Sequence, residues 1–319
     1  MHLLTMLLAL LVAAPAYAAE ADINAQPPAV EAPAAEMPAE TIRPRPERPA
    51  PRVDFDVRYM APARLANPAA GEENAKLSLA TIGARVMLPA PLPAIGGFAM
   101  YGFRYSRTNV WMGDLPGAKP EYIGPLHSFT LDARIVKPVD SETRYAVMVS
   151  LGYHGEASDW GFDAIRLQGG AMYETAYGEH SRIGGGLYYA ADFGTPVPLP
   201  MFFYQYEGER HKFDIIPPAR MFWWMKFPEE KTEAGMGLYV RGDQYHVNEG
   251  TTLPVNKIKY SAVIFGPSVK WQPCQGASLS LDVGYSLYNR FEAFNGDTRI
   301  KDLAPEHGWY YSAAIGARF

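Results

Sequence analysis

Trp309-Tyr310-Tyr311-Ser312-Ala313-Ala314-Ile315-Gly316-Ala317-Arg318-Phe319 sorts into two faces when taken at period two. Trp309, Tyr311, Ala313, Ile315, Ala317 and Phe319 share one face, which is apolar with aromatics at both ends. Tyr310, Ser312, Ala314, Gly316 and Arg318 share the other, which is small or polar. A β-strand divided this way suits hydrocarbon on one side and a lumen on the other.

The same alternation recurs upstream. Val53, Phe55, Val57 and Tyr59 alternate with Asp54, Asp56 and Arg58. Ala99, Tyr101, Phe103 and Tyr105 alternate with Met100, Gly102, Arg104 and Ser106, and Phe129, Leu131, Ala133 and Ile135 with Ser128, Thr130, Asp132 and Arg134. Tyr145, Val147, Val149, Leu151 and Tyr153 keep one unbroken outer face. The pattern runs on through residues 165–177 and 183–193, and Leu279, Leu281, Val283, Tyr285 and Leu287 oppose Ser280, Asp282, Gly284, Ser286 and Tyr288. Recurrence over residues 53–319 predicts an all-β fold, a transmembrane antiparallel up-and-down β-barrel. Closure is required, because a sheet edge cannot satisfy its backbone groups in hydrocarbon.

An even strand number puts both ends of the barrel segment on one side. Short connections at 138–142, 178–180, 208–211, 228–231 and 272–276 mark that side, expected to be periplasmic. Longer ones at 62–75, 108–125, 247–257 and 292–307 mark the other. Residues 195–227 hold Pro196, Pro198, Pro200, Pro217 and Pro218, and proline cannot donate to a ladder. If 201–207, 212–216 and 220–227 each cross, parity gives about fourteen strands; if 194–218 is one outer insertion, about twelve. The tight turn expected at 208–211 favours the larger number.

Residues 1–18 read as a signal peptide: Leu3 to Ala14 is apolar but for Thr5, and Ala16-Tyr17-Ala18 offers small residues for cleavage. That run is far short of the roughly 20 residues of a spanning helix. Residues 19–52, rich in Ala, Pro and Glu and closing on Arg-Pro repeats, read as a disordered periplasmic linker. A plug entering the barrel is the alternative for that segment. Aromatics at 13%, hydrophobic residues at 48% and a mean hydropathy of −0.15 are too polar for a helical membrane protein and suit a barrel with a wet inner face. Formal charge is −5 with no basic stripe, which argues against nucleic acid as a partner. The single Cys274 excludes an internal disulfide, and the histidines show no metal-ligand spacing; no cofactor or metal is expected.

Inward positions carry Asp56, Arg58, Arg104, Asp132, Arg134, Arg166, Glu174, Arg182, Asp192, Arg241, Asp282 and Arg290. An Arg facing lipid near the midplane would cost up to about 2–4 kcal/mol, so their shared phase supports the register. These are the candidate lumen-lining residues. Both signs are present, which fits either a wall stiffened by ion pairs or a selectivity-determining constriction. Tyr59, Tyr101, Tyr105, Tyr153, Tyr173, Tyr177, Trp223, Trp271, Trp309 and Tyr311 share the lipid-facing phase and fit interfacial girdles.

The closing strand resembles that of Gram-negative outer-membrane β-barrel proteins, whose terminal aromatic carboxylate is read by the barrel-assembly machinery. The resemblance covers 53–319 at the level of the barrel class and is similar to barrel families of unknown function, with 194–200 and 215–218 as the expected signature. It implies an outer-membrane location, contact with outer-membrane lipid and lipopolysaccharide, and Phe319 as the assembly signal. The expected function is a passive or restricted pore for small solutes, with a structural or surface-interaction barrel as the alternative. A lipid-hydrolysing barrel is the third reading. Ser150 and His154 lie four residues apart on one strand, roughly 13 Å, too far for a Ser–His pair. His127 and Ser128 point to opposite faces, and His154 could meet Asp159 only by loop folding. Gly184-Gly185-Gly186 lacks the helix and Lys of a phosphate loop and reads as a kink in the sheet.

Overall fold

The computed structural model describes residues 50–114, 123–156, 161–190, 197–217, 219–227, 229, 231–247 and 255–319. The expected signal peptide, nearly all of the linker and Asp192 lie outside the described residues. Among the described residues fifteen strands follow one another: β1 (Arg52–Arg64), β2 (Lys76–Leu92), β3 (Gly97–Gly113), β4 (Leu126–Pro138), β5 (Thr143–Glu156), β6 (Ile165–Tyr177), β7 (Ser181–Ala190) and β8 (Val197–Glu207) come first. Then come β9 (His211–Ile216), β10 (Arg220–Phe227), β11 (Thr232–His246), β12 (Lys257–Trp271), β13 (Ala277–Asn295), β14 (Thr298–Asp302) and β15 (Trp309–Arg318). Each of β1 to β13 pairs with the next, and β15 pairs with both β13 and β1, so fourteen strands close an antiparallel barrel. The short β14 folds back on the end of β13 and takes no part in closure. Among the described residues no helix is long and apolar enough to cross a membrane.

The register follows from the alternation. At the seam Phe55 lies opposite Ile315, Val57 opposite Ala313 and Tyr59 opposite Tyr311, all on the outer face. The Tyr59 and Tyr311 rings stack with centroids 6.5 Å apart, Tyr145 meets Tyr173 at 5.4 Å, and Tyr285 meets Trp309 edge-on at 5.3 Å. Phe55, Val57, Ile82, Val147, Leu167, Leu187, Phe202, Leu281 and Ile315 stand exposed on that face. Strands β8, β9 and β10 are separate members of the barrel ladder, so the count is fourteen and not twelve. Several connections are shorter than the sequence suggests: β3 runs on to Gly113, and 292–307 contains the end of β13 and all of β14.

Arg52 and Arg318 pair at one end of the barrel, called here the terminal end. At the far end the wall is uneven. Strand β9 has six residues and β10 eight, while β11 has fifteen. Strand β10 covers β11 only up to Tyr239, and β9 pairs with β8 only over Tyr204–Glu207. Above that hairpin β11 crosses to β5, where His246 and Gly155 form a parallel pair. Glu207 donates its N–H toward β7, to the His180 carbonyl at 2.8 Å, so residues of the opposite parity, Pro198 and Pro200 among them, aim at the other side. Among the described residues no strand pairs with that side of β8 above Tyr204.

The lumen is not wet along its whole length. In its far half Met60, Leu77, Leu79, Val110, Leu126, Ile258, Ile264, Phe291 and Tyr310 form a buried apolar cluster. Tyr310 hydrogen-bonds the hydroxyl of Tyr260, and its own hydroxyl lies 2.9 Å from Asn289 Oδ1 and from Met60 Sδ. Filling this end removes apolar surface from water at roughly 1.5–3 kcal/mol for each fully buried large side chain.

Candidate functional site: a charged chamber in the lumen

Below the apolar cluster the inner faces of β1 to β7 and β11 enclose a chamber of about 440 Å³. Alternation sends every second residue of each strand into it, which is how charges far apart in sequence converge. Arg58, Arg85, Arg104, Arg134 and Arg166 line it, against Asp56, Asp132 and Asp243, so five guanidiniums face three carboxylates. Ser128, Thr130, Ser150, Gln168 and Tyr188 supply neutral donors and acceptors.

Several of the charges form pairs. Arg58 Nε lies 2.6 Å from Asp56, on the same face of β1. Asp132 accepts from Ser150 Oγ at 2.5 Å and from Arg85 Nη2 at 3.3 Å. Glu174, sealed from solvent toward the terminal end, is shared by Arg134 at 3.4 Å and by Arg144. Arg166 donates to the carbonyls of Asp163 and Ile165 at 2.8 and 3.2 Å. Arg182 reaches the Glu142 carbonyl at 3.1 Å, at the terminal rim. Asp282 accepts from Ser268 at 2.6 Å, and Arg241 lies over the Tyr239 ring, 5.0 Å from its centroid.

Arg104 differs from all of these. It points inward and exposed into the chamber, and among the described residues no ion pair or hydrogen bond engages it. Its direct neighbour across the β2–β3 ladder is Arg85. Arg85 was not among the residues expected from the sequence, although Ile82, Ala84, Val86 and Leu88 alternate there with Gly83, Arg85 and Met87. Its Nε is buried without a hydrogen-bond partner.

Arg290 is a correction. It lies on the outer face near the far end, 2.8 Å from Glu292, which also takes Arg299 at 3.0 Å. The cause is a bulge: Val263 faces Tyr288 while Ile264 faces Ser286, so Leu287 has no opposite residue and the phase of β13 inverts beyond it. Leu287 and Tyr288 are accordingly both exposed, and Phe291 and Ala293 turn into the buried cluster. Asp192 lies outside the described residues.

A serine, a histidine and an aspartate do meet, in a combination absent from the sequence reading. His154 Nδ1 lies 2.7 Å from Asp243 Oδ1 and 3.3 Å from Ser128 Oγ. A hydrolytic relay needs the acid on one ring nitrogen and the nucleophile on the other. Here both partners share Nδ1, and the carboxylate makes it the donor, so it cannot take the serine proton. Nε2 faces Gly152, where a Cβ would stand 2.5 Å away. The trio is a clasp that ties β5 to β11 beside the His246–Gly155 pair. On the outer surface His127 Nδ1 meets the Tyr105 hydroxyl at 3.0 Å, away from the chamber. Gly184, Gly185 and Gly186 sit within continuous ladders on both sides of β7, and no phosphate loop is formed. Among the described residues no group of three or more His, Cys, Asp or Glu side chains could hold a metal ion.

A closed antiparallel cylinder, greasy and banded with aromatics outside and charged within, is a transmembrane β-barrel of the outer-membrane type. Within that class the chain belongs to the DUF6268 family, a domain of unknown function, whose model matches residues 59–307. Among solved structures it is similar to the COG4313 outer membrane channel from Pseudomonas putida F1, at 11% identity and a TM-score of 0.46, covering 85% of this chain and 96% of that one. It is similar to the toluene transporter TodX of Pseudomonas putida, at 9% identity and a TM-score of 0.45, covering 86% and 90%. The translocator domain of the autotransporter NalP from Neisseria meningitidis gives 11% identity and a TM-score of 0.38 over 85% and 89%. No curated protein matches.

Proposed function

We propose that this chain is an outer-membrane pore of restricted opening for small polar solutes. The observation that carries the reading is the charged chamber of about 440 Å³ within a lipid-facing wall. Guanidiniums and carboxylates are costly to desolvate, so a roomy cavity lined by them suits a wet path better than a packed filling does. The restriction is read from the apolar cluster, which fills part of the far half of the lumen. On this reading the terminal end faces the periplasm. Phe319, exposed and donating its N–H to the Pro51 carbonyl at 3.1 Å, is then the handle for the assembly machinery, and lipopolysaccharide surrounds the far rim.

The same apolar cluster favours one rival, a structural or surface-interaction barrel whose far end is permanently stoppered. Single-channel recording on the purified full chain in planar lipid bilayers separates them. The pore reading expects discrete conductance steps, small for a fourteen-strand wall, that widen when Phe291 and Tyr310 are cut to Ala. Stable insertion that stays silent in both the native and the cut-down protein would sink it.

A further inference from the structure

Most cations facing the chamber have an anion or a carbonyl in hand; among the described residues Arg104 has none, and Arg85 has one long contact. Arg85 and Arg104 are direct cross-strand neighbours on the inner face of β2 and β3, a placement that brings Cβ atoms to about 4.5–5.5 Å. Like charges at that spacing destabilise a sheet unless something neutralises them. Asp132 does so only in part. It gives Arg85 one long contact of 3.3 Å and spends its other oxygen on Ser150. Arg85 Nε stays buried without an acceptor, and Arg104 stands exposed to the chamber with none.

We propose that Arg85 and Arg104 form a binding site for a small oxyanion, a carboxylate or a phosphate, held between two guanidinium groups. The planar donor fork of arginine matches the paired oxygens of either group. Thr130, opposite Arg104 on β4, lines the same chamber and offers a hydroxyl to a third oxygen. The volume, about 440 Å³, falls in the roughly 300–1,000 Å³ range of small-molecule pockets and admits a small organic anion with its waters. The ion pairs at Glu174 and Asp56 flank the site without competing for it, since each already binds its own arginine. As a binding site this stands by itself; as the filter of a channel it rests on the pore reading.

Calorimetric titration of the detergent-purified full chain with inorganic phosphate and, separately, with succinate tests the site without requiring conduction. Saturable binding of one or both is expected, weakened roughly tenfold or more by Arg104→Gln, a change that breaks no contact in the wall. Arg104→Lys, which keeps the charge and loses the fork, should fall between. Succinate without phosphate assigns the site to carboxylates, and the converse to phosphates. Absence of binding by either, or binding that Arg104→Gln leaves unchanged, overturns the proposal. Reversal potentials across a potassium chloride gradient then address the filter: anion selectivity lost in Arg104→Gln supports it. Binding in a protein that never conducts would leave the site standing and remove the pore.

Discussion

Glu174 is sealed from solvent while holding two guanidiniums, Arg134 and Arg144, that are themselves partly wet. Glu174→Gln removes the negative charge and leaves two cations facing one amide. We expect a loss of roughly 1.5–3 kcal/mol, the range for hydrogen bonds to charged groups, and less than for a fully buried pair because water reaches both arginines. Urea unfolding of the protein reconstituted in lipid vesicles would read this as a lower midpoint. A midpoint unmoved by the change would mean that lumen water screens the network. Arg104 offers the contrast at the same scale: among the described residues it has no partner to lose, so its replacement should leave the midpoint where it is and act only on what enters the chamber.

Strand β7 shows how closely the wall is packed. A Cβ at Gly186 would stand 2.1 Å from the Ala171 carbonyl oxygen and 2.7 Å from Met172 Cα, both backbone, so the neighbouring strand itself would have to move. Gly186→Ala should therefore cost about 1–3 kcal/mol and lower the yield of folded barrel, measured by the shift in gel mobility on heating. Gly113→Ala, with nothing within 4 Å, is the control that should fold normally. At this scale most of the architecture was legible from the residues, because one face of each strand meets hydrocarbon and a one-residue slip would turn its charges outward. What escaped has identifiable causes. The bulge at Leu287 inverts the phase of β13, yet Tyr288, Asn289 and Arg290 are polar in either phase and give no sign of it. Tyr310 was grouped with a polar face, although inside the far half its ring is filling and only its hydroxyl is polar. The Ser128–His154–Asp243 clasp joins β4 and β5 to β11, a meeting across the barrel that no spacing along the chain reveals. Arg85 was overlooked because Pro89 and Pro91 interrupt the look of β2 as a strand, though the ladder runs through both.

For the molecule as a whole the weak point of any sheet is an edge, and among the described residues closure through β15 leaves one in the barrel wall above the short β9–β10 hairpin, besides the outlying β14. Outer membranes crowd barrels shoulder to shoulder, and a ribbon with free donors on its flank would invite a neighbour to zip onto it. Proline at 198 and again at 200 deletes two successive donors on that flank. Restoring them with Pro198→Val and Pro200→Val should move the protein toward larger species on native gels and in chemical cross-linking, relative to the unaltered chain. An unchanged size distribution would mean that some other part of the chain guards the gap. With the prolines in place, two successive rungs by which another polypeptide would stitch itself to that flank are missing.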